Sequence, residues 1–504
     1  MIRRSLAPLL LALVFAFVCS DAARAAVYVP TKTADGADGA CDADCSLRDA
    51  VVAANAHDGE DVILLHAGIY LLSVGGTENG AATGDLDVEG DLVVVGDGAA
   101  TTTVDGNGAF RLFEVPATGS LELRDLTLRN GKGGGGGGGV LNHGSLTILR
   151  SMLLSNQALT GGGDAGYGGA VYSTGTGSAL TIRDSTVNGN FAEAGGGGIA
   201  VGGHGTLANL TIDVNSSGPG SGGGLYVFST AELVVNNTTV TANAAGGRGG
   251  GIFAEQAAFI GVAPVVTNTI IAGNSTNGTF PPGTGGNDPD CSGGLDSAYD
   301  LIGIGGGCGG PSAANHDLVG TGSSPIDAKL GQLAPAGGPT FTRPLLAGSP
   351  ALDAGNPSGG DRACESTDQR GATRPGGPRC DIGAYEVSAE CVSGGSILCM
   401  IANRFRVKAH WRTADGHAAD AAGVQLTPDS GYFWFFGPDN VEVTVKVLDG
   451  CGVNDRYWVF SSGVTNVEVT LTVVDTATGA TKTYTNPLNQ VFRSILDTNA
   501  FACH

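Results

Sequence analysis

Four acidic residues in an alternating run raise the first chemical question. Asp85, Asp87, Glu89 and Asp91 are interleaved with Leu86 and Val88, and alternate residues of a strand share one face. Four carboxylates on one face would supply the hard oxygen ligands that calcium takes; a solvated outer face opposite a buried one is the structural alternative. A second group is cationic. Arg124, Arg150 and Arg183 fall at corresponding places of a repeat, and Asp125 and Asp184 directly follow two of them, which also suits surface ion pairs. Glycoside hydrolysis needs two carboxyl groups roughly 5 to 9.5 Å apart, hence acids in one column on adjacent coils. Asp164, Glu193, Asp213, Glu232 and Glu255 share no such column, and His143 and His204 sit in glycine turns without a third partner. The third group is aromatic. Tyr432, Trp434 and Phe436 alternate along one strand-like segment, and their rings offer faces for sugars or a surface for docking.

The elements that must position these side chains come from a glycine-rich array running from about Leu121 to Asn274. Two short words recur in it every ~25 to 34 residues, a period that marks solenoids and related arrays. One is a glycine run ending in an apolar pair, as in Gly169-Ala170-Val171-Tyr172, Gly224-Leu225-Tyr226 and Gly251-Ile252-Phe253. The other ends at Asn130, Asn156, Asn190, Asn215, Asn243 or Asn274, with Asp184, Asn209, Asn237 and Asn268 six residues upstream of four of them. Leucine spacing, helical periodicity and a Trp-Asp signature are all missing, which excludes leucine-rich and helical repeats and propellers. A parallel β-helix coil fits the length. The asparagines then form two columns in turns that need positive φ, with amides bonding from rung to rung.

Several stretches resemble known families. The two words resemble the GG-A-[ILV] and F-x-x-N repeats of chlamydial polymorphic outer-membrane proteins, with Val, Ile or Leu in place of Phe. CSLRDAVVAAN resembles the CSLREA motif of secreted bacterial β-helix proteins. The runs KLGQLAPAGGPTFTRPLLAGSPALDAGNP and DQRGATRPGGPRCDIGAYE resemble the end of the choice-of-anchor Q family. The stretch from FRVKAHW to YFWFFGPDNVEVTVKVLDG resembles a C-terminal module of secreted proteobacterial proteins. These likenesses imply a right-handed parallel β-helix of the pectate-lyase-like kind on an exported or cell-surface bacterial protein. That fold also hosts polysaccharide lyases and glycoside hydrolases, which stay open as the enzymatic alternative, as does a structural spacer.

Residues 1–25 read as a signal peptide, with Arg3 and Arg4, an apolar run from Leu6 to Val18, and Ala23-Arg24-Ala25. Beyond Cys19, the even number of cysteines suits an oxidising compartment. Their clustering suggests Cys41 with Cys45, Cys291 with Cys308, Cys364 with Cys380, Cys391 with Cys399, and Cys451 with Cys503. A net charge of −22 repels nucleic acid, and no later run is apolar enough to cross a bilayer. Ser46-Leu47-Arg48-Asp49 has the capping-box form and predicts a helix laid over the first coil. Pro335, Pro339, Pro344 and Pro350 predict a closing cap, held by Asp368, Arg370, Arg374, Asp381 and Glu386. After Glu390 the glycine runs stop and all three tryptophans appear, in alternating segments that predict a small antiparallel β-sandwich. The expected protein is thus all-β: a β-helix domain over 26–390 with N- and C-terminal caps, then a sandwich over 391–504. The expected partners are a polysaccharide or a surface protein, with no cofactor other than calcium.

Overall fold

The structure is a computed structural model. It describes residues 25–503 except 77–79, 162–164, 256–262, 278–288, 347, 358, 361, 388–393, 402 and 476–479. The signal-peptide reading falls on residues outside this set, apart from Ala25.

The chain is all-β, and its first part is a parallel β-helix. Among the described residues its coils build parallel sheets of eighteen, nine and six strands. One coil runs Gln157–Leu159, Val171–Ser173, Ala179–Asn188, and the next repeats it as Phe191–Ala192, Ile199–Val201, His204–Asp213. The sheets are named here the short, middle and long faces. Apolar columns fill the inside: Val140, Val171, Ile199, Leu225 and Ile252 stack in register on the middle face, each fully buried. Burying such columns on every coil is the main stabilising force.

Both asparagine columns exist, and the structure gives them different duties. The side chains of Asn156, Asn190, Asn215, Asn243 and Asn274 point inward and form a ladder. Each Nδ2 donates to the Oδ1 of the next rung at 2.9–3.0 Å, and each backbone N–H donates to the same oxygen. The ladder ends where Asn274 donates to Asp290; a carboxylate accepts only, so it needs no further rung. The expectation that these asparagines adopt positive φ is corrected. The left-handed residues are the preceding Ser155, Gly189, Val214, Ala242 and Gly273, which free the amide to turn inward. Asn130 is one place out of register: it is itself left-handed at φ 53° and bonds Asp105, while Gly131 holds the ladder position. The upstream column, Asp125, Arg150, Asp184, Asn209, Asn237 and Asn268, is left-handed throughout and bends the long face.

The predicted helix forms over Leu47–Asn55, and its capping box is complete: Ser46 Oγ accepts from Asp49 N–H and Asp49 accepts from Ser46 N–H. Leu47, Ala50, Val51 and Ala54 bury their side chains against the first coils. Arg48 is fully buried, pairs with Asp35 at 2.9 Å, and donates to the carbonyls of Ala81 and Gly84. Asp35 in turn accepts from the Ser73 and Val74 N–H groups. The motif at Cys45–Asp49 is therefore explained by structure: its arginine knits helix, strand end and loop.

The expected closing cap is corrected. The described residues of 330–387 lie along the side of the helix rather than across its end, as a strap over the bent long face. Thr340 donates to the Asp184 carbonyl, Asn209 to that of Thr367, and Asn268 to that of Arg362. Gln369 bridges Thr186, Thr211 and Thr340. The outward amides of the upstream column hold a segment that is irregular apart from a short antiparallel pair, Ala334–Pro335 with Phe341–Thr342. Within the strap, Asp368 pairs with Arg370 and Arg374 with Glu386, each at 2.7 Å and nearly without solvent.

The C-terminal part is two antiparallel five-stranded sheets. Phe405, Val407, Ala409, Phe433, Val445, Val459, Val469 and Leu471 alternate inward to form its own core. The structure joins Cys41 to Cys45, Cys291 to Cys308, Cys364 to Cys380 and Cys451 to Cys503. Cys399 is disulfide-bonded, and Cys391 lies outside the described residues.

Candidate functional site

The glycine words on the middle face place their final residue outward. In Ala170-Val171-Tyr172 the valine joins the core column while Tyr172 faces away; Leu225-Tyr226 and Ile252-Phe253 repeat the arrangement. In register, the outward column reads Asp87, Glu114, Leu141, Tyr172, Ala200, Tyr226, Phe253, Ser292. The glycines of the adjoining turns make room for the rings: a Cβ on Gly136 would lie 2.6 Å from Tyr172, and one on Gly195 2.6 Å from Tyr226.

Around Ala200 the small side chain leaves a gap, and Tyr167 and Phe228 fold over it from neighbouring turns. The Tyr167 ring centroid lies 5.7 Å from Tyr172, 5.1 Å from Tyr226 and 4.9 Å from Phe228. Tyr226 and Phe253 are 5.1 Å apart. Five rings thus form one patch on the side of the β-helix; Tyr167, Tyr172, Phe228 and Phe253 are half-buried, and Tyr226 is buried. Tyr226 donates its hydroxyl to Glu255, which also accepts from the Ser229 N–H at 3.2 Å. Burial, then the bond to Glu255, raises the Tyr226 phenol far above its ordinary range, so it remains a protonated donor. An apolar ring surface edged by a carboxyl acceptor is chemistry suited to a molecule with both C–H faces and hydroxyl groups.

The four acidic residues singled out for calcium do not share one strand face. Asp85 and Asp87 flank Leu86 at a strand Leu86–Asp87 on the middle face; Glu89 is exposed beyond it, and Asp91 opens Asp91–Gly96 on the long face. Gly90 interrupts what looked like one alternation. The tertiary structure instead groups Asp85, Asp87 and Glu114. Arg111 is paired there, 2.8 Å from Asp85 and in contact with Glu114, and it extends to the Gly137 carbonyl at 3.2 Å. A guanidinium therefore supplies positive charge at this cluster.

The other residues are placed as follows. Arg124 pairs with Glu122, Arg150 with Asp125, and Arg183 with Glu365 of the strap. Asp213 is held by Arg343 at 2.9 Å, and burial raises its carboxyl despite that partner. His204 is not in an isolated turn: it opens a strand in register with Glu232, 3.1 Å away. Asp164 lies outside the described residues. Tyr432 and Trp434 share the outer face of Ser430–Trp434, half-buried, while Phe433 and Phe435 enter the core. Phe436 lies past the strand end and packs edge-on against Trp411 at 4.9 Å, so it does not continue that face.

Three hollows accompany these features. One of about 400 Å³ lies between strap and last coils, lined by Asn274, Asp290, Ile326, Leu330 and Arg343; its charged groups already serve the ladder and Asp213. A second of about 350 Å³ lies on the outer sandwich sheet beside Lys446, Phe460 and Leu496. The third, of about 390 Å³, crosses the long face at Thr181, Thr206, His204 and Glu232. Among the described residues no helix is long and apolar enough to cross a membrane. The fold defines the class, a parallel β-helix followed by two antiparallel sheets. Comparison with family models, with curated proteins and with solved structures gives no match.

Sequence reasoning passed over the ring patch. Its signal was present in the last letter of the glycine words, where an aromatic recurs at Tyr172, Tyr226 and Phe253. Only the register assigns that letter to the outside.

Proposed function

We propose that this chain is an exported, non-catalytic β-helix protein of the CSLREA and choice-of-anchor Q kind that binds glycans on its side. The observation that carries the reading is the five-ring patch with Glu255 at its edge. Half-buried rings held in a row by a rigid sheet need no ordering when a ligand arrives, which removes part of the cost of binding. The disulfides and the signal-like start of the sequence support export. A non-catalytic role draws support from the carboxylates of the array, since Asp105, Asp125 and Asp213 are each occupied by an arginine.

The test uses residues 26–504 on neutral and acidic polysaccharides, with calcium and with chelator, reading bound protein and newly formed chain ends together. Binding without new ends, weakened by Tyr172→Leu and Phe253→Leu, is the expected result. New ends that vanish in Glu255→Gln would make the protein an enzyme instead. Absence of binding to every polysaccharide would refute the reading and leave a spacer that presents the sandwich.

A further inference from the structure

We infer that the ligand of the ring patch is a neutral, extended glycan lying parallel to the β-helix axis, with its hydroxyls fixed by Glu255. The inference rests on the glycan reading above and adds the orientation and the charge class. Tyr172, Ala200, Tyr226 and Phe253 occupy one column on four successive rungs. At ~4.8 Å per rung the column spans ~14 Å along the axis. A chain crossing the axis would meet one rung only, whereas an extended chain running along it advances by about one rung per sugar. The column carries rings on the first, third and fourth of these rungs, with Tyr167 beside both Tyr172 and Tyr226 across the Ala200 gap, so the rings line the direction in which an axial glycan runs.

Charge selects the class. Glu255 brings a carboxylate into contact with the ring patch, and the chain as a whole carries −22. The Arg111 cation at the start of the same column is matched by Asp85 and Glu114. A uronic-acid polymer laid on this column would meet repulsion from Glu255 that a neutral polymer does not, with Arg248 on the adjoining turn of the Phe253 coil the cation that the acidic series would test. Glu255 has two donors, the Tyr226 hydroxyl and the Ser229 N–H. A carboxylate offers about four acceptor positions, so sugar hydroxyls have places to bond.

Calorimetric titration of residues 26–504 with neutral β-linked gluco- and xylo-oligosaccharides of two to six units, and with oligogalacturonates of equal lengths, tests the inference. Affinity is expected to rise from dimer to tetramer and then level off, with the acidic series weaker at low salt. Tyr172→Leu and Phe253→Leu, which keep apolar bulk without a ring face, should each weaken the tetramer by roughly tenfold. Circular dichroism and melting of each variant verify that the fold is retained; Tyr172→Phe, with its ring face intact, should bind the tetramer within about threefold of the parent. Preference for the acidic series, or affinity indifferent to length, would overturn the inference while leaving a glycan-binding protein. Neutral binding untouched by both ring variants but lost on deleting residues 391–504 would overturn it by placing the site on the sandwich. No binding in either series would refute inference and reading alike.

Discussion

Replacing Asn215 by alanine removes one rung of the interior amide ladder. In the native coil its Oδ1 accepts from the Asn190 N–H at 3.0 Å and from Asn190 Nδ2 at 2.9 Å; its Nδ2 donates to the Val187 carbonyl and to Asn243 Oδ1, both at 2.9 Å. Asn190 Nδ2 keeps a second acceptor in the Leu153 carbonyl, and Asn243 Oδ1 keeps the Asn215 N–H. The Asn190 N–H has no replacement, and Asn215 is 1 % exposed, so water does not reach it; the Val187 carbonyl belongs to a strand paired on both sides. A buried polar group deprived of its partner costs about 1–3 kcal/mol, which is the loss expected here. Asn188→Ala is the control, two residues from Asn190 and half-buried; the Asp213 carbonyl and carboxylate that its Nδ2 reaches keep other donors in the Gly189 N–H and Arg343, so it should cost under about 1 kcal/mol. Coils of a solenoid need not unfold together, so the assay pairs urea denaturation with amide exchange resolved by coil. Exchange should quicken on the coils containing Asn190, Asn215 and Asn243 and far less elsewhere. A loss below about 1 kcal/mol for Asn215→Ala, or exchange unchanged at Asn190, would show that the ladder contributes nothing beyond satisfying turns that relax without it.

Arg48→Met should destabilise the N-terminal coils by about 3–5 kcal/mol, because it strands buried Asp35; local exchange over residues 35–85 reports it. The two ends should respond to pH in opposite directions. Burial, reinforced by Glu386, pushes Asp381 up to about 6, and burial also raises Asp213, Asp290 and Glu386. Their contribution is fully present below the unfolded values near 4 and is lost as pH rises through the raised folded values, about 6 for Asp381, so strap and last coils should protect better at pH 4.5 than at 7.5. Burial pushes Asp35 up too, but Arg48 and the Ser73 and Val74 N–H groups outweigh it and leave the carboxyl low. That end should hold at neutral pH and loosen as pH falls through the lowered value; exchange mapped at several pH values checks both signs. Finally, Arg111→Gln should release Asp85 and Glu114, which group with Asp87, from their internal cation, giving a melting temperature that rises with added calcium where the parent's does not.

The local alphabet of this chain determined its architecture before any coordinates. Glycine and asparagine at a near-constant period demand repeated turns, and alternating apolar letters between them demand short strands, so the parallel β-helix was legible. So were the Ser46–Asp49 capping box and the sandwich after Glu390, because each depends on neighbours a few residues apart. What lay beyond reach was decided by register and by chain segments that return from afar. One residue of slip sends Asn130 outward and Asn156 inward. A single Gly90 turn sends Asp91 to a different sheet from Asp87 and leaves the acidic grouping to Glu114 and Arg111, both on the next coil. Prolines in residues 330–387 announced a segment poor in regular strand; whether it closed the end or ran along the side depended on the amides of Asn209, Asn237 and Asn268, which face outward only once the coils stack. The ring patch has the same origin. Tyr172, Tyr226 and Phe253 are far apart in sequence and close only because the coil returns to the same place on each turn, and the stacking of coils, not the letters, decides which side of the sheet a ring occupies.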